Sequence, residues 1–157
     1  MTAFEEFQKI IARLRAPGGC PWDQKQTHSS LKAACIEEAA EVIGGIRILE
    51  DTGNPDNLKE ELGDLLLQVV MHAQIAQEEG LFTMDDVIQG ISEKMIRRHP
   101  HVFGEASVSD SEQVLERWEE IKKEEKAGKE WTENYLPEAF EEASELIETA
   151  KKRKGFA

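Results

Sequence analysis

The chain has 157 residues, 39% of them hydrophobic and 32% charged, with a formal net charge of −13. That length suits one domain with a real core, and that charge argues against a nucleic-acid binder, because phosphate backbones require a basic surface. No apolar run is long enough for a membrane span, the start with Glu5 and Glu6 does not read as a signal peptide, and Cys20 and Cys35 make neither a disulfide framework nor a zinc spacing, so a cytoplasmic protein is expected.

Thr2 with Glu5 forms a capping box for a first helix, whose apolar stripe is Phe4, Phe7, Ile10, Ile11 and Leu14. Ala16-Pro17-Gly18-Gly19 ends it, and residues 17–28 read as an irregular loop in which Trp22 plugs the core or joins a binding site. Ser29 or Ser30 is the expected cap of a second helix reaching about Asp51. Thr52-Gly53-Asn54-Pro55 is turn chemistry, and Asp56 is the expected cap of a third helix ending near Gly80. A connection this short makes the two long helices an antiparallel hairpin.

A fourth helix starts at Thr83-Met84-Asp85-Asp86 and stops at Pro100. Lys94 and Arg98 share one of its faces while Arg97 points elsewhere. Cations near a helix C-terminus are favoured by the dipole alone, so a structural reading stands beside a phosphate-binding one. After a loop over 101–111, Asp110 or Ser111 caps a fifth helix holding Val114, Leu115, Trp118 and Ile121, with Lys122 one turn from Trp118. Trp118 there is either core, covered by the Lys122 stem, or the wall of a pocket. Gly128 breaks the pattern, and Pro137 begins a last amphipathic helix whose end, Lys151-Lys152-Arg153-Lys154, reads as a dipole-favoured, solvated tail. No stretch alternates as a strand does, and no repeat is present, so the fold class is all-α, a helix bundle.

Two acidic clusters carry the chemistry: Glu37-Glu38-Ala39-Ala40-Glu41 and Glu60-Glu61-Leu62-Gly63-Asp64. Residues three and four apart share a helix face, so Glu38 projects with Glu41 and Glu61 with Asp64. Leu31, Val42 and Leu49 fall within roughly 40° of Glu38 on the wheel, which puts this carboxylate in the middle of the face that should be buried. The next helix is apolar almost all round, with Glu61, Asp64, Gln68 and His72 as its one polar line. Carboxylates crowded on inward faces repel and take up protons unless a counter-charge is supplied. A hard divalent cation with oxygen ligands is the simplest solution, and such a set suits a metal cluster or a shared metal–phosphate site.

At these residues the sequence resembles the MazG-type, all-α nucleoside triphosphate pyrophosphohydrolases, whose signature is Glu-Glu-x-x-Glu followed by Glu-x-x-Asp. Gly19-Cys20-Pro21-Trp22-Asp23, Glu61-Leu62-Gly63-Asp64-Leu65-Leu66, Arg97-Arg98-His99-Pro100-His101-Val102-Phe103 and Trp118-Glu119-Glu120-Ile121-Lys122 are also similar to stretches of that family. The resemblance spans roughly residues 4 to 126 and is loose beyond. It implies hydrolysis of a (deoxy)nucleoside triphosphate between the α and β phosphates, to the monophosphate and pyrophosphate, in nucleotide-pool house-cleaning. The cofactor expected is Mg²⁺, or Mn²⁺, held by Glu38, Glu41, Glu61 and Asp64. Glu37 or Glu60 would orient the water or bind a further ion. The resemblance places Lys94, Arg98, Trp118 and Lys122 on the nucleotide. A narrower substrate (a dUTP, dCTP or phosphoribosyl nucleotide) and a catalytically silent metal-binding or interaction protein are the alternatives. The expected organisation is a single domain over 1–157, with a core of about 4–126 and a C-terminal helix of about 137–154, resembling the first of the family's two tandem domains. The apolar third helix needs more cover than the remaining helices supply, so a homodimer is expected, with no nucleic acid and no membrane as partners.

Overall fold

The computed structural model describes residues 1–156, and Ala157, the last residue of the expected domain, lies outside them. The described residues are helical with no strand: α1 (Ala3–Arg15), α2 (Pro21–Lys25), α3 (Lys32–Thr52), α4 (Asp56–Glu78), α5 (Met84–Arg98), α6 (Pro100–Phe103), α7 (Ser111–Lys126), a 3₁₀ segment (Glu130–Tyr135) and α8 (Leu136–Lys154). They divide into two compact units, one of Met1–Met84 with the chain from Glu141 onward, the other of Asp85–Phe140. No helix among the described residues is long and apolar enough to cross a membrane.

In the first unit α3 and α4 form the expected antiparallel hairpin. A methyl group on Gly45 would lie 2.7 Å from Leu58 Cα, and farther along the pair Cys35 Sγ is 3.4 Å from His72 Nε2. Moving ten residues back along α3 thus moves fourteen forward along α4. The absence of a side chain at Gly45 is what lets the two backbones close at the turn end of the hairpin. The opposite end holds the core, where α1 packs on α4 and Ile11, Leu31, Val70, Met71, Ala73, Ile75 and Ala76 are buried. Arg15 joins α1 to α4 through Glu78 at 2.9 Å and donates to the carbonyls of Asp23 and Gln26.

Helix ends depart from the sequence reading in instructive ways. The Thr2–Glu5 box forms reciprocally, and the Asp110 carboxylate accepts from the Gln113 N–H at 3.0 Å. Neither Ser29 nor Ser30 caps α3, which starts after Leu31 without a side-chain cap; Ser30 instead exchanges hydrogen bonds with Thr27, closing the preceding turn. Asp56 is already inside α4, and Asn54 Oδ1 accepts its N–H at 2.9 Å. The loop expected over 17–28 contains α2, opened by Pro21 at a position where a missing N–H costs nothing, and too short to show an apolar period. Trp22 on it is 63% exposed, so it does not plug the core of this chain. Pro100 ends α5 but starts α6 for the same reason that Pro21 starts α2.

The second unit is tied by Glu125 of α7. It meets Arg97 and Arg98 at the end of α5, each at 2.7 Å. Sequence spacing had sent Arg97 away from Arg98; their long side chains converge on one carboxylate regardless. Trp131 and Tyr135 meet edge to face at 6.2 Å, and Lys126 pairs with Glu133.

Candidate active site

The hairpin register sets the site. Antiparallel pairing brings the Glu38 turn of α3 opposite the Glu61–Asp64 turn of α4, and one carboxylate oxygen from each of Glu38, Glu61 and Asp64 lies within 4.8 Å of the others. All three side chains belong to half-buried residues. Asn57, one turn before Glu61, donates its amide to Glu61 Oε1 at 3.0 Å and fixes that carboxylate. Among the described residues no lysine or arginine forms an ion pair with Glu38, Glu61 or Asp64. The group is therefore negative charge without a matching cation.

The electrostatics follow. Partial burial pushes the Glu38 carboxyl up to about 7, and a hydrogen bond shared with Glu41 and the charges of Glu41, Asp64 and Glu61 push the same way. Glu41 moves oppositely: Lys154 Nζ donates to its Oε1 at 2.6 Å and holds it below the usual carboxylate range. Glu37, its neighbour on α3, pairs with Arg153. Glu60 is exposed to solvent. Of the residues singled out in the two acidic stretches, Glu38, Glu61 and Asp64 thus come together, Glu41 touches this group through Glu38, and Glu37 faces α8.

Three clustered carboxylates offer the hard oxygen donors that Mg²⁺ and Mn²⁺ prefer, and among the described residues no histidine or cysteine joins the group. A divalent cation fits this donor set because it would offset the burial and relieve the repulsion that together raise Glu38. Beside the group, a cavity of about 370 Å³ is lined by Glu37, Ala40, Glu41, Gly44, Ile48, Asn57 and Glu61 from the hairpin, and by Ile147, Ala150, Lys151, Lys154 and Phe156 from the end of the chain.

The remainder of the polar line on α4 has a different character. Gln68 is 7% exposed, and its Oε1 is buried without a hydrogen-bond partner among the described residues. His72 stacks on His28 with ring centroids 5.0 Å apart and shares a 2.7 Å hydrogen bond between Nδ1 atoms, so one ring donates and the other accepts. Burial and the neighbouring His28 lower the His72 pKa, and burial raises that of Cys35. The thiol is thereby kept protonated and unreactive, as a small core residue should be.

In the second unit Arg98 is a fixed cation. Its guanidinium donates twice to Glu125, at 2.7 and 3.2 Å, and lies 5.2 Å from the centre of the Trp118 ring. The Arg98 and then the Arg97 hydrogen bonds hold the Glu125 carboxyl down at about 2. His99 meets Trp118 edge to face at 4.9 Å and donates from Nδ1 to the Met95 carbonyl. Lys122 pairs with Glu119 at 3.2 Å, and Lys94 is half-buried on α5. Glu125 was missed by sequence reasoning, although its spacing from Trp118 and Lys122 puts all three on one face of α7. Arg153 and Lys154, in the basic helix end that reads as a solvated tail, instead pair with Glu37 and Glu41, contacts that no local sequence signal marks.

A family model described as the MazG nucleotide pyrophosphohydrolase domain matches residues 26–103. The chain is 55% identical, over 80% of its length, to the nucleoside triphosphate pyrophosphohydrolase/pyrophosphatase MazG of Thermotoga maritima, of which it covers 46%. It is 48% identical, over 82% of its length, to the nucleoside triphosphate pyrophosphohydrolase of Escherichia coli, covering 48% of that protein. An uncharacterized Bacillus subtilis protein, YabN, is 58% identical over 78% of this chain, which spans 24% of it. The chain thus spans half the length or less of these relatives. The crystal structure of a mazG-related protein from Thermotoga maritima matches with a TM-score of 0.59 and 33% identity, covering 76% of this chain and 98% of that one.

Proposed function

Because this chain belongs to the MazG nucleotide pyrophosphohydrolase family, we propose that it hydrolyses a (deoxy)nucleoside triphosphate to the monophosphate and pyrophosphate at the carboxylates of its helical hairpin. The observation that carries this reading is the convergence of Glu38, Glu61 and Asp64 within 4.8 Å. A scaffold protein would gain nothing from such a group, since apolar residues at those positions would avoid the repulsion altogether.

The roles follow from the donor set. Glu38, Glu61 and Asp64 would hold a divalent cation, Mg²⁺ or Mn²⁺, with Glu41 as a further ligand. Such an ion supplies polarisation of the phosphate oxygens and charge neutralisation. Orienting the attacking water or binding a further ion would fall to Glu37 or Glu60, of which Glu37 pairs with Arg153 and Glu60 faces solvent here, so either would have to turn toward the group. Lys94 and Arg98 neutralise charge on the transferred phosphates, where positioning and electrostatics do most of the catalytic work. Trp118 and Lys122 contribute to holding the nucleotide.

Assembly belongs to the same proposal. Leu62, Leu66 and Val69 form a stripe along α4 and are 50%, 39% and 41% exposed, while Ile43 on α3 is 60% exposed. Apolar surface of this extent marks an interface, and a second copy in a two-fold dimer is the simplest cover. We place the activity in nucleotide-pool house-cleaning in the cytoplasm, with no nucleic acid as partner.

The test is product analysis. Purified protein is offered a panel of canonical and modified nucleoside triphosphates with Mg²⁺. Pyrophosphate and the monophosphate are expected from at least one of them. Orthophosphate and the diphosphate as first products would refute the choice of bond.

A further inference from the structure

The end of α8 is built into the carboxylate site. This part of the helix lies in the same compact unit as the hairpin and runs alongside α3 in the same direction: Lys32 meets Glu142 at 3.0 Å at one end, Arg153 meets Glu37 at the other, and Lys154 Nζ meets Glu41 Oε1 at 2.6 Å. Ala150 is buried beneath the last turns. The helix terminus is fixed as well. Gly155 takes φ +77°, its N–H reaches the Lys152 carbonyl at 3.1 Å, and the Phe156 N–H reaches the Lys151 carbonyl at 2.8 Å. This paired closure needs a residue that accepts positive φ, and it holds the two cations in place rather than leaving them on a frayed end. The dipole favours cations here but does not choose their partners. Both choose carboxylates of the α3 acidic stretch, although other acidic side chains abound on the surface.

We propose that Lys154 is an intrinsic counter-cation of the carboxylate site, competing with the divalent metal for Glu41, so that the last turn of α8 tunes metal loading. This rests on the reading of the hairpin carboxylates as a metal site. Three of the carboxylates stand together without a cation, and Glu41 is the one diverted to Lys154. A metal that takes Glu41 as a ligand draws on the same negative charge that holds Lys154 on Oε1, so each weakens the other's hold even though the carboxylate has a second oxygen to offer. Arg153 on Glu37 anchors the turn while Lys154 exchanges.

The test is Mn²⁺ titration of metal-free protein followed by electron paramagnetic resonance, on the wild type, on Lys154→Met and on Lys152→Met, the last controlling for loss of one positive charge from the same helix end. Lys154→Met is expected to bind Mn²⁺ roughly 3- to 10-fold more tightly than the wild type, the equivalent of one exposed charge-assisted contact, and Lys152→Met to differ little. Wild-type binding that Lys154→Met leaves unchanged or weakens would overturn the inference while leaving the metal site standing. A gain equalled by Lys152→Met would also overturn it, reducing the effect to net charge. Absence of Mn²⁺ binding in wild type and variants alike would remove the metal reading and this inference together. A second readout needs no variant: amide hydrogen exchange over residues 150–156 should be faster with saturating Mg²⁺ than in chelator, because the metal loosens the Lys154 contact, and equal or slower exchange counts against the competition.

Discussion

Glu38 carries the largest electrostatic cost in the hairpin, since burial and three neighbouring carboxylates all oppose its ionisation. Glu38→Gln and Asp64→Asn should therefore abolish turnover yet leave the fold intact, or raise the melting temperature, when metal is chelated. A large loss of stability in both variants would mean that these side chains make structural pairs instead. Glu125 is the opposite case, a carboxylate whose two arginines hold it near 2. A depressed folded-state value contributes stability that is present above the ordinary carboxylate range and is lost as pH falls toward the folded value. Glu125→Gln should cost about 1–3 kcal/mol at neutral pH. The penalty should shrink as pH is lowered from about 4.5 toward 2, where the wild type loses the same interaction. Chemical denaturation at neutral and acid pH checks both parts. A penalty independent of pH would show that the carboxylate charge is not what matters.

At the scale of elements, the hairpin depends on a backbone contact. Gly45→Ala places a methyl group 2.7 Å from Leu58 Cα, which only a shift of one helix against the other relieves. The expected cost is about 1–3 kcal/mol despite the better helix propensity of alanine. Gly90→Ala on α5 meets nothing within 4 Å and should instead gain about 0.5–1 kcal/mol. Thermal melts that rank the two variants the other way would contradict the register.

The antiparallel hairpin was legible in the sequence, because the turn at Thr52–Pro55 and the apolar faces on both sides are local signals. Its register, the depth at which the two acidic turns meet, depends on the close approach of Gly45 to Leu58 and was not. Also legible were the pairings of Glu38 with Glu41 and of Glu61 with Asp64, which follow from helix geometry alone. The Thr2 and Asp110 caps are contacts between residues three apart; the sequence placed the first and offered the second beside Ser111. What escaped had no local signal. Lys154 and Glu41 are 113 residues apart, and a basic helix end looks the same whether it meets solvent or a carboxylate. The five residues of α2 are too few to express a period. Ser30 looked like a cap because hydroxyl side chains suit helix starts and turns alike, and here the turn won.

At the scale of the molecule, the stripe of Leu62, Leu66 and Val69 on α4 is left about half exposed by the described residues. Light scattering at micromolar concentration should give the mass of a dimer, and Leu66→Glu should shift it toward the monomer. A wild-type monomer at that concentration would sink the assembly proposal. The carboxylates that converge on the hairpin act, on this proposal, through a divalent cation. The direct measurement is pyrophosphate release from a nucleoside triphosphate by protein stripped with excess chelator, before and after Mg²⁺ or Mn²⁺ is restored. No release is expected in chelator, with recovery once the metal is restored and no recovery in Glu38→Gln. Release undiminished in chelator would contradict the proposal.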